Sequence, residues 1–331
     1  MRFVTIRDAG LERVGVLVSD NEIALLPRAF GDLVSIIEGG EEMLARIRAL
    51  APTVSERCRL DGAELLAPIR RFRRDILCAG WNYWDHFEEG VGKRDGQEVE
   101  RPTHPTFFTK GPDTVIGPHD PISFDAKISA KWDYEAELAL VIGKTGRNIS
   151  QANAMDHVWG FLLANDVSQR DLQRAHGGQW LKGKSIDATM PIGPWVATAD
   201  EIDWRDIQLE CLVNGETLQS ASTKLMAFPL PVLIEELSFG MTLRAGDLLL
   251  TGTPAGVGHA RTPPLFLKAG DEVIVRGSRL GELRNQLVDT DIHSAQTPTS
   301  ARLRRRGMSD TRVLKRAAEL GVALGAVGQR I

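Results

Sequence analysis

Residues 133–142 read Asp-Tyr-Glu-Ala-Glu-Leu-Ala-Leu-Val-Ile. Side chains two apart on a strand leave by the same face. As a strand, this stretch sets Glu135 and Glu137 side by side, with Ala136, Leu138, Leu140 and Ile142 on the face that packs. Two adjacent carboxylates repel and are costly in a dry setting unless something neutralises them. A hard divalent cation such as Mg²⁺ prefers such oxygen ligands. The plainer reading is the solvent-facing edge of an amphipathic strand.

Around this stretch, residues 107–287 are dominated by short strands punctuated by Gly and Pro. Leu209–Val213, Leu248–Thr251 and Glu272–Arg276 are examples. Helical periodicity is confined to Ser168–His176 and Leu230–Phe239. The pattern predicts an α+β, mainly β fold and lacks the regular strand–helix alternation of a doubly wound sheet.

Residues 1–70 read as a small N-terminal α/β domain. Val14–Val18 and Glu22–Leu26 are strands about a turn at Ser19-Asp20-Asn21, and Leu33–Leu50 is a helix weakened at Gly39-Gly40. A basic stretch, Arg70 to Arg74, reads as a solvated linker into a buried strand, Asp75–Gly80, and a second domain over 71–290. Residues 291–331 form a basic tail rich in Arg, with Ser, Thr and Pro clustered at 294–300 and a short helix expected over Asp310–Leu324. Disorder is as good a reading of that tail.

Composition limits the function classes. The 331 residues carry a net charge of −4 and 43% hydrophobic residues, ordinary for a globular protein with a sizeable core and no reason to bind nucleic acid. No apolar run approaches the ~20 residues of a membrane span, and the first ten residues lack a signal-peptide core. Cys58, Cys78 and Cys211 are scattered and odd in number, which points to a reducing cytoplasm rather than a disulfide framework.

Four other segments carry chemistry. An apolar strand, Phe161 to Ala164, ends at Asn165-Asp166, where a helix is expected to start. Asp166, Arg170 and Gln173 then share one helical face, with Asp166 or Ser168 as its cap. Glu135, Glu137 and Asp166 together would hold Mg²⁺ or Mn²⁺ with positions left for a substrate. His86 and Glu89 stand three apart at the mouth of a Gly- and charge-rich loop, 87–103, that reads as a lid, and a His held by a Glu is a plausible base. Gly178 to Ser185 matches G-x-x-x-x-G-K-S, but the preceding residues read as helix and Pro191, Gly193 and Pro194 follow, so it is not a nucleotide loop. Its Lys184 remains a cation in an otherwise apolar context. Finally, Leu248–Leu250 runs into Gly252-Thr253-Pro254-Ala255-Gly256, a loop able to offer backbone N–H groups and the Thr253 hydroxyl to an anion.

Taken in order, these blocks resemble the fumarylacetoacetate hydrolase family. They are GWNYWDHFEE, FFTKGPDTVIGPHDPI, WDYEAELALVIGK, GFLLANDVSQRDLQ, WLKGKSIDATMPIGPWV and LLTGTPAGVG with AGDEVIV and LGELRN beyond it. They cover roughly residues 70–290. The resemblance implies a mixed β-sandwich roll around a metal site, usually in a homodimer, with Glu135, Glu137 and Asp166 as Mg²⁺ or Mn²⁺ ligands. It implies His86 and Glu89 as a catalytic dyad, Lys184 as a site lysine, and Arg170, Gln173 and Thr253 as substrate contacts. One block departs from the pattern, at Thr109-Lys110-Gly111-Pro112. The expected reaction is hydrolysis of a carbon–carbon bond in a β-diketo acid. Decarboxylation of oxaloacetate-like 2-oxo acids and isomerisation of 2-hydroxy-diene-dioates are the alternatives on the same site.

Overall fold

The computed structural model describes residues 1–94 and 98–294. The expected tail helix over Asp310–Leu324 and the centre of the expected lid lie outside the described residues. Strands dominate, in two main sheets. The larger runs, in spatial order, through Arg57–Arg59, Glu22–Leu25, Leu11–Ser19, Arg2–Asp8, Met190–Thr198, Val158–Asn165, Ala136–Ile142, Leu248–Leu250, Ile76–Gly80 and Thr106–Lys110. The smaller runs through Glu216–Ser222, Gln208–Val213, Glu272–Gly277, Gly281–Asp289 and Ile122–Phe124, and packs on the middle of the larger. Most neighbours are antiparallel. Leu248–Leu250 beside Ile76–Gly80 is parallel.

The two-sheet arrangement explains the run from Ala136 to Ile142. That strand is central, paired with Val158–Asn165 on one side and Leu248–Leu250 on the other. All seven of its residues are buried. The solvent-edge reading of Glu135 and Glu137 therefore fails: both faces of the strand are covered, as continuous apolar runs require. Glu135 sits just before the strand, where its N–H donates to Asn165 Oδ1 at 3.1 Å instead of joining the ladder.

The leading residues join the same sheet through Arg2–Asp8, which pairs with Met190–Thr198. The stretch Leu33–Leu50 is two helices, Leu33–Glu38 and Gly40–Leu50, broken where Gly40 takes a φ of +61° that only glycine adopts freely. Asp32 caps the first by accepting the Ser35 N–H at 2.7 Å. Ile36, Ile37 and Ile47 of this pair pack into the main core with Phe3, Leu162 and Ile192. The arginines from 70 to 74 pair with acids: Arg71 with Asp32 and Glu38, Arg73 with Glu38, Arg74 with Asp247. Among the described residues no helix is long and apolar enough to cross a membrane.

Candidate metal centre and its cavity

Three strand ends and one loop converge at the C-terminal edge of Val158–Asn165. Asp166 follows that strand directly, and its N–H bonds the Glu135 carbonyl at 2.9 Å. Here the expectation of a helix starting at Asp166 is corrected. Ser168–Gln169 forms a short strand against Trp132–Asp133, and the helix spans Arg170–Ala175 with no side-chain cap. Asp166 is buried with its carboxylate on Lys110 and Lys184, so it caps no helix.

One oxygen each from Glu135, Glu137 and Asp166 lie within 4.8 Å of one another, and all three residues are buried. Around them sit two buried lysines. Lys184 Nζ lies 2.6 Å from Glu135 Oε2 and 2.7 Å from Asp166 Oδ2. Lys110 Nζ lies 2.6 Å from Asp166 Oδ1 and donates to the Val167 carbonyl at 2.8 Å. Burial works against the charge on Lys184, but Asp166 and Glu135 outweigh it and push its pKa up to about 12. Burial dominates at Lys110 and lowers its pKa despite Asp166. Burial would raise Asp166, yet Lys110 and Lys184 together hold it below the usual carboxylate range.

Glu137 is the unbalanced member. Its Oε2 accepts the Gly252 N–H at 2.7 Å, but no ion pair reaches it among the described residues. Burial, then the charges of Asp166 and Glu135, push its pKa well above the usual range. With Arg170 shared between Asp133 and Glu135, the four buried carboxylates Asp133, Glu135, Glu137 and Asp166 face three buried cations, Lys110, Lys184 and Arg170, which leaves Glu137 without a counterion among the described residues. A divalent cation on this all-oxygen set would supply it, so the residues fit the group that the sequence implies.

Arg170 and Gln173 sit one turn apart on the helix Arg170–Ala175 and are hydrogen-bonded at 3.1 Å. Arg170 pairs not with Asp166 but with Asp133, at 2.8 Å, and Glu135, at 2.7 Å. The short helix Leu181–Lys184 carries Lys184 and lies against the same helix. A Cβ on Gly183 would come within 2.2 Å of the Gln173 backbone nitrogen. The Gly-Lys-Ser that mimics a nucleotide loop is thus a close-packing glycine beside a site lysine.

The dyad comes from the opposite side. The helix Trp84–Glu89 places His86 Nδ1 2.7 Å from Glu89 Oε1. Glu89 Oε2 accepts the Gly256 N–H at 2.8 Å, which fixes the pair to the Gly-rich loop. That loop spends its donors inside the protein. Gly252, Gly256 and Gly258 N–H groups go to Glu137, Glu89 and Asp133. The expectation that they face an anionic ligand is corrected: carboxylates of the protein already occupy them. The Thr253 hydroxyl is also engaged, donating to the Ala136 carbonyl at 3.0 Å and accepting from Gln219 Nε2 at 2.8 Å.

A cavity joins these groups. It is lined by His86, Glu135, Glu137, Arg170, Gln173, Lys184 and Thr253, each of which the sequence had singled out. Glu89 and Asp166 stand behind His86 and Lys184. The sequence reading missed Lys110, Asp133, His259 and Arg94. Asp133 continues the alternation of Glu135 and Glu137 one step back, a signal present in the stretch itself. His259 follows the Gly-rich loop directly and lies 3.2 Å from Asp133 through Nδ1. Burial and the Arg170 charge push its pKa down to about 4. Lys110 occupies the block that departs from the resembled pattern.

Comparison with known proteins agrees with this geometry. The family model described as "Fumarylacetoacetate (FAA) hydrolase C-terminal" matches residues 75–288. The oxaloacetate tautomerase YisK of Bacillus subtilis (strain 168) is 40% identical over 293 residues, 83% of this chain and 95% of the relative. Among solved structures, a fumarylacetoacetate hydrolase from Exiguobacterium antarcticum superposes with a TM-score of 0.76 at 39% identity, covering 88% of this chain and 100% of that one. A 2-hydroxyhepta-2,4-diene-1,7-dioate isomerase from Mycobacterium marinum gives 0.68 at 30% identity, covering 88% and 99%.

Proposed function

This chain belongs to the fumarylacetoacetate hydrolase family, and on that premise we propose that it interconverts the keto and enol forms of an oxaloacetate-like 2-oxo acid. The observation that carries the reading is the pairing of one oriented base, His86 on Glu89, with a buried carboxylate triad across a single cavity. Tautomerisation needs only a base beside the carbon acid and a centre that polarises the adjacent carbonyl. The relative aligned over nearly its whole length is named for that reaction.

Glu135, Glu137 and Asp166 would hold Mg²⁺ or Mn²⁺, which when bound supplies Lewis-acid polarisation of the 2-oxo oxygen. The remaining work belongs to side chains. His86 donates its Nδ1–H to Glu89, which leaves Nε2 as the base. Nε2 takes a proton from C3. The C–H electron pair becomes the C2–C3 double bond, the carbonyl π pair moves onto the C2 oxygen, and the His86 imidazolium gives its Nε2 proton to that oxygen, which forms the enol and restores the base. Glu89 stabilises the imidazolium formed on the way. Lys184 places a fixed positive charge beside the oxygen where negative charge develops, an effect often worth a few kcal/mol. Arg170 and Gln173 hold the substrate's C1 carboxylate side of the cavity, and the Thr253 methyl face contributes shape.

Hydrolysis of a carbon–carbon bond in a β-diketo acid, the first expectation from sequence, is the second reading. It keeps the same base but directs it to a water, and the likeness to the Exiguobacterium enzyme favours it. One assay separates the two. Enol decay of oxaloacetate is followed by ultraviolet absorbance with Mg²⁺ or Mn²⁺, while CO₂ and acid fragments are quantified from oxaloacetate and an acylpyruvate. Accelerated decay with neither product supports the tautomerase. A released acid fragment transfers the assignment to hydrolysis, and CO₂ alone to decarboxylation. The three free cysteines fit a reducing compartment such as the cytoplasm.

A further inference from the structure

His259 lines the same cavity as His86 and takes no part in the keto–enol scheme. Its anchoring repeats that of His86. Each imidazole puts Nδ1 on a carboxylate, His86 on Glu89 at 2.7 Å and His259 on Asp133 at 3.2 Å. Each carboxylate is in turn held by the Gly-rich loop, Glu89 by the Gly256 N–H and Asp133 by the Gly258 N–H. One cavity therefore holds two His–carboxylate dyads fixed by the same stretch of backbone.

The hydrogen-bonding state of His259 follows from its neighbours. Asp133 Oδ1 accepts the Tyr134 and Gly258 N–H groups at 2.9 and 2.7 Å. Its Oδ2 accepts Arg170 Nε at 2.8 Å and the His259 backbone N–H at 3.0 Å. A carboxylate surrounded by donors only accepts, so Nδ1 of His259 carries the ring hydrogen. Asp133 already offsets Arg170, and burial together with the Arg170 charge keeps the ring neutral at neutral pH. Nε2 is then a lone-pair acceptor. It lies across the ring from the Asp133 bond and meets no partner among the described residues. A neutral acceptor has nothing to offer a carboxylate or a keto oxygen, which are acceptors themselves. It fits an O–H.

We propose that His259 accepts a hydrogen bond from the C2 hydroxyl of the bound substrate, and so holds the enol form, which carries that O–H, more tightly than the keto form, which does not. The inference rests on the keto–enol reading for the identity of the hydroxyl. It adds the residue that tells the two forms apart. Once the His86 imidazolium has returned its proton to the C2 oxygen, the new O–H turns to His259. Nε2 of His86 is then free to act again.

The test uses the full-length protein with Mg²⁺ and two ligands that do not turn over, malate and succinate, which differ by the C2 hydroxyl alone. Trp81 and Trp180 line the cavity, so their fluorescence reports binding. Mg²⁺ adds the same preference for malate in every variant, so a change in the malate-to-succinate affinity ratio reads residue 259. H259N sets an amide N–H where Nδ1 stands, which keeps the Asp133 contact, and removes the acceptor at Nε2. It should lower the ratio about fivefold, the scale of one neutral hydrogen bond, with succinate affinity unchanged. H259Q sets its amide oxygen near the Nε2 position and should keep most of the ratio, although it gives up the Asp133 contact. A purely structural role predicts the opposite order, with H259N close to the wild type and H259Q impaired. That order, an unchanged ratio in H259N, or equal weakening of both ligands overturns the proposal. The two readings fail separately. A lowered ratio in H259N without oxaloacetate turnover by the wild type leaves the hydroxyl contact standing and removes the tautomerase. Turnover with an unchanged ratio does the reverse.

Discussion

Lys110 shows how much one residue can decide here. It is fully buried, its only carboxylate partner among the described residues is Asp166, and with Lys184 and Arg170 it offsets the charge of the triad. Lys110→Met keeps the volume but removes the charge, leaving Asp166 with Lys184 alone. Removing one partner of a buried pair typically costs about 3–5 kcal/mol, so the urea midpoint should fall sharply, and bound cation should recover part of the loss. His86→Asn is the opposite kind of change. Its imidazole reaches Glu89 but no triad carboxylate, so the variant should bind Mn²⁺ as the wild type does while losing on the order of 10²–10⁴ in kcat. Equal activity in His86→Asn and the wild type would remove the base from the scheme.

His259 adds a pH dependence. Its pKa falls from 6.5 unfolded to about 4 folded, because burial and the Arg170 charge disfavour the imidazolium. Between those values the unfolded chain binds the extra proton and the native one does not. Stability from this group is therefore complete above pH 6.5 and lost as pH falls through about 4, a total of roughly 3 kcal/mol. Arg170, His86 and Asp133 are the charged or titratable groups that act on it. Replacement by Gln should flatten the acid limb of the urea midpoint between those two pH values, whereas an unaltered limb would assign the acid loss to other groups.

At the scale of elements, the site depends on close approach more than on regular structure. The helices Arg170–Ala175 and Leu181–Lys184 are each under two turns and stable only because they pack together. Gly183 is where they touch. Gly183→Ala drives a Cβ into the Gln173 backbone, so Lys184 and Gln173 should both shift. We expect a lower Tm and a raised KM, with Gly183→Ser worse than Ala. Asp32→Ala removes the cap of Leu33–Glu38 and the partner of Arg71. It should cost about 1 kcal/mol with activity unchanged. Both outcomes are read from one thermal melt and one rate.

Across the whole molecule, the second sheet matters through Gln219, whose side chain crosses from Glu216–Ser222 to bond the Ala136 N–H and the Thr253 hydroxyl. The strand that carries Glu137 is thus tied to both sheets. A ligand that binds only the native state stabilises by about 2.7 kcal/mol at a hundred times its Kd. Adding Mg²⁺ or Mn²⁺ should raise Tm by several degrees, chelation should reverse it, and Glu135→Ala should abolish the shift. The family reading also carries a homodimer, which sedimentation equilibrium tests.

The sequence by itself determined the strand pattern, a helical stretch over Leu33–Leu50 weakened at Gly39-Gly40, and seven of the residues that line the cavity. Each of those is local: alternation, a Gly-Gly pair, or an ordered set of blocks. It did not determine that Ala136–Ile142 is central, because periodicity cannot tell a strand buried on both faces from one at an edge. Nor did it reveal that Arg170 pairs with Asp133, that the Gly-rich loop donates to Glu137 and Glu89, or that Lys110 and Arg94 enter the site. Those facts depend on which chain ends meet in space. Charge balance in a buried cluster is a sum over neighbours distant in sequence, and only the tertiary structure brings the terms of that sum together.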